Sequence, residues 1–177
     1  AFNALNNHDK VGAILFSDKI EKYIPPKKGK SNVLRIVREI LNIEPNESKT
    51  DIKAALEFFS SVQKKKAITF IFSDFIAKDY EDGFKLVRKR HDVIPVWVND
   101  EYDIVLPDLG LVQLYDKEAN VFKVVDTSSG ALRNTLKNNF EKYQKIFSNL
   151  MKKTGTDFIE IKTNEDYIKS FLKFFAK

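Results

Sequence analysis

The chain has 177 residues, enough for one compact domain with a core and too few to expect two. Its 43% hydrophobic content, with 15 Phe, beside 31% charged residues of both signs, describes a globular domain and excludes a disordered one. A net charge of +5 permits an acidic partner without requiring one, and the absence of cysteine removes disulfides, thiolate nucleophiles and Cys-type zinc sites.

Phe2 and Leu5 in Ala1 to Lys10 share a helical spacing that runs out in Asn6 and Asn7, so the chain opens on a helix tail. That stretch lacks the parts of a signal peptide, and no apolar run approaches the ~20 residues of a membrane span, so a cytoplasmic protein is expected. Val11 to Phe16 reads as a strand, and Ile20 to Ile24 as its hairpin partner at an edge. Pro25 to Lys30 is a loop, with Ser31 placed to N-cap a helix over Asn32 to Asn42 that carries Val33, Val37, Ile40 and Leu41 on one face. After a loop at Glu44 to Lys49, Thr50 opens a second helix with Ile52, Ala55, Leu56 and Phe59 inward. Lys64, Lys65 and Lys66 close it, where cations complement a helix C-terminus.

Ala67 to Phe75, AITFIFSDF, is the most informative stretch. An apolar β-branched and aromatic run stops at Ser73 and Asp74, which reads as a buried strand delivering a carboxylate to a sheet edge. Ligands of open α/β sheets sit beyond the carboxyl ends of parallel strands, so Asp74 is a candidate ligand; a loop carboxylate capping the next turn is the alternative. A helix from about Asp79 to Arg90, with Tyr80, Phe84 and Val87 inward, and a strand at Val93 to Val98 complete a strand, helix, strand unit of a parallel sheet. Leu111 to Tyr115 and Val121 to Val125, joined by DKEAN, form a second hairpin, an insertion spanning about 100–128. The longest helix, Ser129 to Lys153, carries Leu132, Leu136, Phe140, Tyr143, Phe147 and Leu150 as one stripe and stops at Gly155. A strand at Phe158 to Ile161 follows, then Thr163 and Asp166 as a capping box for a last helix bearing Ile168, Phe171, Leu172 and Phe175.

Enzyme signatures are sparse. The six glycines are scattered, so neither a dinucleotide fingerprint nor a P-loop can be written. His8 and His91 lack zincin spacing, GxSxG is absent, and Asp74 has no second acid two residues on, as an aspartyl-phosphate mechanism would want. What remains is an oxygen-ligand site made from Thr50 and Asp74, which suits a hard divalent cation such as Mg²⁺ that keeps several waters; an N-cap role for Thr50 is the competing reading.

Several segments together resemble the von Willebrand factor A-like proteins of an uncharacterised bacterial family associated with MoxR-type AAA ATPases. They are DKVGAILFSDKIEKYIPPKKGKSNVLRIVREIL at Asp9 to Leu41, TDIKAAL at Thr50 to Leu56, FIFSDF at Phe70 to Phe75 and RHDVIPVWV at Arg90 to Val98. LPDLGLVQLYD at Leu106 to Asp116, VDTS at Val125 to Ser128 and TNEDYIKSFLKFF at Thr163 to Phe175 complete the match. The resemblance implies one domain over 1–177, a three-layer, doubly wound, mainly parallel sheet, and a metal-ion-dependent adhesion site built from a DxSxS loop, a threonine and an aspartate. Thr50 matches the threonine and Asp74 the aspartate, whereas the DxSxS element and its strand are not in the chain. That strand would lie between those at Val11 and Ile68, so a truncated chain whose sheet closes up or dimerises is expected, with weak or absent cation binding.

The implied function is a non-enzymatic protein-interaction module working with a MoxR-type AAA ATPase and its protein clients in assembly or maturation. Two alternatives stand beside it. One is nucleic-acid or polyanion binding through Lys27, Lys28, Lys30 and Lys64 to Lys66; the other is an uncharacterised metal-dependent hydrolase.

Overall fold

A computed structural model describes residues 7–43, 50–100, 107–116 and 121–176. Most of the opening helix tail, the loop at Glu44 to Lys49 and most of the DKEAN turn lie outside these residues. Among the described residues, seven strands and five helices follow in chain order: β1 (Val11–Phe16), β2 (Ile20–Lys27), α1 (Lys30–Asn42), α2 (Ile52–Val62), β3 (Ile68–Ser73), α3 (Glu81–Arg90) and β4 (Asp92–Asn99). After them come β5 (Leu111–Asp116), β6 (Val121–Asp126), α4 (Gly130–Thr154), β7 (Ile159–Lys162) and α5 (Tyr167–Phe175).

The centre is an open, parallel, three-stranded sheet in the order β3-β4-β7. Pro95 of β4 lies opposite Ile71 of β3 alone, since β7 joins the ladder only from Val96 onward, so the proline stands at a position with one paired neighbour. Alternation along β4 sends its side chains to two different cores. Val93 and Trp97 pack under α2, α3 and α4 with Leu56, Phe84, Phe147 and Met151, while Ile94 and Val96 join Ile159, Phe171 and Phe174 under α5. The fold is therefore mixed α/β with helices on both faces of the sheet, as the strand, helix, strand pattern requires.

Both predicted hairpins form, each as a separate two-stranded antiparallel sheet. β1 pairs with β2, so the described residues do not close the sheet by joining β1 to β3. Gly12 is needed at its position, since a Cβ there would stand 2.8 Å from the Ile24 carbonyl oxygen. The β5-β6 hairpin is pinned at its base by the buried Thr127, whose hydroxyl donates to the Gly110 carbonyl at 2.8 Å and accepts from the Leu109 N–H at 2.9 Å.

Three expected caps differ. α1 starts two residues earlier than expected and is preceded by Gly29 at φ 100°, so Ser31 lies inside the helix. α2 is capped by Asp51, whose carboxylate accepts from the Ala54 N–H at 2.9 Å, and not by Thr50. α5 is capped by Asp166, so Thr163 is no part of a capping box. In each case a residue a few positions away offers a competing start, and tertiary contacts choose between them. The inward face of α1 also turns, with Asn32, Val33 and Ile36 buried while Ile40 and Leu41 are exposed. Asn32 explains the turn, because its amide donates to the carbonyls of Val11 at 2.7 Å and Lys27 at 3.2 Å, tying the helix start to the hairpin.

His91 ends α3, giving its N–H to the Val87 carbonyl, and its buried ring stands edge-on to Phe59 with centroids 4.7 Å apart. Burial, with Arg90 beside it, holds its pKa below the ordinary 6.5. The folded protein thus leaves His91 neutral where the unfolded chain has already bound a proton, so this contribution to stability is complete above about pH 6.5 and declines as pH falls below it. Urea unfolding as a function of pH should show this decline in the wild type, and a smaller one in His91→Gln.

Candidate functional site

β3 ends at Ser73, and the chain leaves the sheet through a loop with two non-glycine residues in the left-handed region, Phe75 at φ 54° and Asp79 at φ 59°. A bulky residue there is an outlier that persists only when its surroundings hold it. Phe75 is buried with its ring 4.6 Å from Phe147 and 5.9 Å from Tyr80, so the core fixes the turn. The backbone is then tied by its own side chains: the Phe75 N–H donates to Ser73 Oγ and the Ile76 N–H to Asp74 Oδ1, both at 3.0 Å. Asp74 is thereby left exposed on a rigid loop at the carboxyl end of a parallel strand, and its carboxylate also serves as the local turn cap.

A cleft of about 390 Å³ opens at that end of the sheet, lined by Phe72, Ser73, Asp74, Val98, Asn99, Asp100 and Thr163. Three strand ends meet in it, β3 supplying Ser73 and Asp74, β4 Asn99 with Asp100, and β7 Thr163. The Thr163 hydroxyl donates to Asp100 Oδ2 and its N–H to the Asn99 carbonyl at 3.1 Å, which locks the β4 and β7 ends together. Asn99 is buried, gives its amide to Glu160 Oε1 at 3.1 Å and has no partner for its own Oδ1. The polar side-chain groups are two carboxylates, two hydroxyls and one carboxamide, an oxygen-rich donor set of the kind hard divalent cations take. Among the described residues no group of three or more His, Cys, Asp or Glu is placed to hold a metal ion.

Of the two residues singled out in the sequence, Asp74 lines this cleft and Thr50 does not. α2 runs from Ile52 down to the lysines that lead into β3, so Thr50 stands at the same end of the sheet as Asp74, beside the β1-β2 turn where the Asp51 N–H donates to the Ser17 carbonyl at 2.8 Å. The residues that sequence reading missed are Asn99, Asp100 and Thr163. Asp100 directly follows the apolar run VIPVWVN, and Thr163 directly follows IEIK, the same strand-end signal that marked Asp74. In the basic run, Lys64 Nζ donates to the Ser60 carbonyl at 3.2 Å, the helix-end role expected of it.

Residues 1–146 match a family model described as "Protein of unknown function DUF58". Uncharacterized proteins of Mycobacterium bovis and Mycobacterium tuberculosis are each 21% identical over 171 residues, 95% of this chain and 54% of theirs, so the chain spans about half the length of these relatives. An uncharacterized protein of Mycobacterium avium is 22% identical over 154 residues, 85% of this chain and 90% of its own. Among solved structures, the conserved hypothetical protein BatB from Bacteroides thetaiotaomicron is similar with a TM-score of 0.49 and 13% identity, covering 96% of this chain and 81% of that one.

If the core holds the Asp74 loop, Phe75→Ala should cost about 3–5 kcal/mol, the range for removing a buried aromatic side chain. Urea unfolding measures the loss. Native-state hydrogen exchange should show the Ile76 amide opening more readily than in the wild type.

Proposed function

The chain belongs to the DUF58 family of proteins of unknown function, and from that membership we propose that it is a non-enzymatic protein-interaction module of the von Willebrand A-like class. Its partner is a MoxR-type AAA ATPase, and its role lies in the assembly or maturation of client proteins. The docking face is the carboxyl end of the parallel sheet, with Asp74 as its principal carboxylate and Thr50 on the neighbouring helix start.

The observation that carries the reading is the placement of Asp74. It is an exposed acid on a loop whose backbone is strained yet anchored in the core, next to Asp100 and Thr163 at the ends of parallel strands. That is where open α/β sheets bind ligands, and strain of this kind clusters where a binding geometry has to be preset. The donor set fits a divalent cation that keeps part of its water shell, held by Asp74 with Asp100 and hydroxyl oxygens of the cleft. When bound, such an ion would let a partner carboxylate complete its coordination. The chain's own contribution is to present the acid on a fixed loop, so that little ordering is needed on docking.

Capture of the cognate MoxR-type ATPase by the immobilised wild-type chain should depend on Mg²⁺, fall on addition of EDTA, and drop at least tenfold with Asp74→Ala. Asp74 is exposed and outside the core, so the variant should remain folded. Capture that is equal in wild type and Asp74→Ala, with and without EDTA, would remove the metal-bridged mechanism.

A further inference from the structure

The lysines and arginines are not spread evenly over the molecule. α2, α3 and α4 all run against the parallel strands, so their last turns stand together at the end of the sheet opposite the cleft. Side chains tie these ends together: the Phe59 ring of α2 meets His91 at the end of α3, and Arg88 Nε of α3 donates to the hydroxyl of Thr156, just past α4, at 3.2 Å. The start of the sheet is level with them, since the Asp92 N–H of β4 donates to the Ala67 carbonyl before β3 at 2.9 Å. β1 runs the same way as β3, because Ser17, just past its end, accepts from the Asp51 N–H where α2 begins. The start of β1, and the Lys27 paired with Val11, therefore lie at this end too.

Each of these segments brings cations. Lys64, Lys65 and Lys66 follow α2, Arg88, Lys89 and Arg90 close α3, and Lys152 and Lys153 close α4. Lys27, Lys28 and Lys30 join them from the end of β2, with Lys10 ahead of β1. All twelve but the half-buried Arg88 are exposed, and no lysine among them is in an ion pair among the described residues. The acids beside them among the described residues are Asp9, Asp92 and Asp157, which leaves an excess of nine positive charges where the whole chain has +5. The rest of the molecule is therefore net negative. Its acids at the cleft lie the length of β4 away, about 25 Å, or about three Debye lengths at physiological salt.

Cations at a helix C-terminus ordinarily answer the macrodipole, but that accounts for little of this excess. Each helix end carries about half a negative charge, so three ends offset about one and a half charges of the nine. The feature does not depend on what covers the β3 and α5 face, because α2, α3 and α4 are the filled layer of the fold. Shape narrows the partner. The cations tip several elements that stop at one level, which spreads them over a face and does not line them along a groove. A nucleic-acid strand is held by a groove that tracks its backbone, with aromatic side chains on which bases stack, and the ring at these helix ends, Phe59, is packed against the core. A bilayer is itself a plane of anions, and its lipids move sideways to meet whatever spacing the cations have.

We infer that the end of the molecule formed by the last turns of α2, α3 and α4 lies against an anionic lipid surface. The contact is electrostatic and peripheral, with the ammonium and guanidinium groups in the headgroup layer and no segment inserted. It turns the acidic cleft of Asp74 and Asp100 away from the like-charged headgroups and leaves it open. The contact stands on its own, whether or not the cleft docks a partner.

The test is sedimentation of the full chain with vesicles of mixed phosphatidylcholine and phosphatidylserine. Binding should be present at low salt, fall as sodium chloride is raised, and be absent with phosphatidylcholine alone. Each neutralised lysine should weaken it about fivefold, so Lys65→Gln, Lys66→Gln, Lys152→Gln and Lys153→Gln combined should weaken it at least tenfold. A second variant, combining Lys53→Gln, Lys78→Gln, Lys137→Gln and Lys169→Gln, has the same net charge with its changes placed away from this end, and should stay within about twofold of the wild type. All eight positions are exposed, circular dichroism checks that both variants fold, and Lys89→Gln with Arg90→Gln replaces the first set if that variant does not. Absence of binding to the mixed vesicles, or an equal loss in the two variants, overturns the inference. Tighter binding of a DNA duplex or a polyglutamate peptide than of the mixed vesicles at the same salt also overturns it, and assigns this end to a nucleic acid or an acidic protein.

Discussion

Phe147 is the contact on which the rest of the structure depends. From the middle of α4 it reaches three rings at once, Phe75 at 4.6 Å, Phe158 at 4.9 Å and Trp97 at 5.3 Å. These rings belong to the loop after β3, the entry to β7 and the central strand β4, so one side chain sets the helix layer against all three parts of the parallel sheet. Aromatic groups bury more area per residue than any others and prefer fixed offsets, which makes such a cluster both a source of stability and a positioning device. The loop carrying Asp74 inherits its geometry from this packing, because Phe75 can sit at a positive φ only while its ring is held.

The two faces of the sheet divide the work. The face under α2, α3 and α4 carries the larger core and fixes the strand ends, including the three that line the cleft. The opposite face has a smaller core under α5 and leaves β3 uncovered. Phe72, exposed on that strand, also lines the cleft, so the strand ends present apolar surface beside their carboxylates.

Much of this was legible in residue patterns. The alternation in β4, the heptad-like spacing in α4 and the turn signals around both hairpins depend on local periodicity, and each element forms within a residue or two of its expected bounds, save β2, which runs on three residues to Lys27, and α2, which ends at Val62 ahead of the lysines expected to close it. Helix starts were less legible. Ser31, Thr50 and Thr163 are good capping residues in isolation, but Gly29, Asp51 and Asp166 take the positions. A cap is worth about 1 kcal/mol, less than the packing that decides where a helix begins.

The sequence by itself determined the fold class, the two hairpins and the place of Asp74 at a strand end, because each follows from the order of short patterns along the chain. Only the tertiary structure decided that Asp74 shares its cleft with Asn99, Asp100 and Thr163, residues 25 to 89 positions away in the chain. Strand order brings them together, and no local pattern encodes it. Tertiary packing also decided that Ile68, Phe70 and Phe72, which read as core, stand bare beside α5. Period-two alternation shows that two faces of a strand are apolar, but whether a helix lies over each depends on what the rest of the fold supplies.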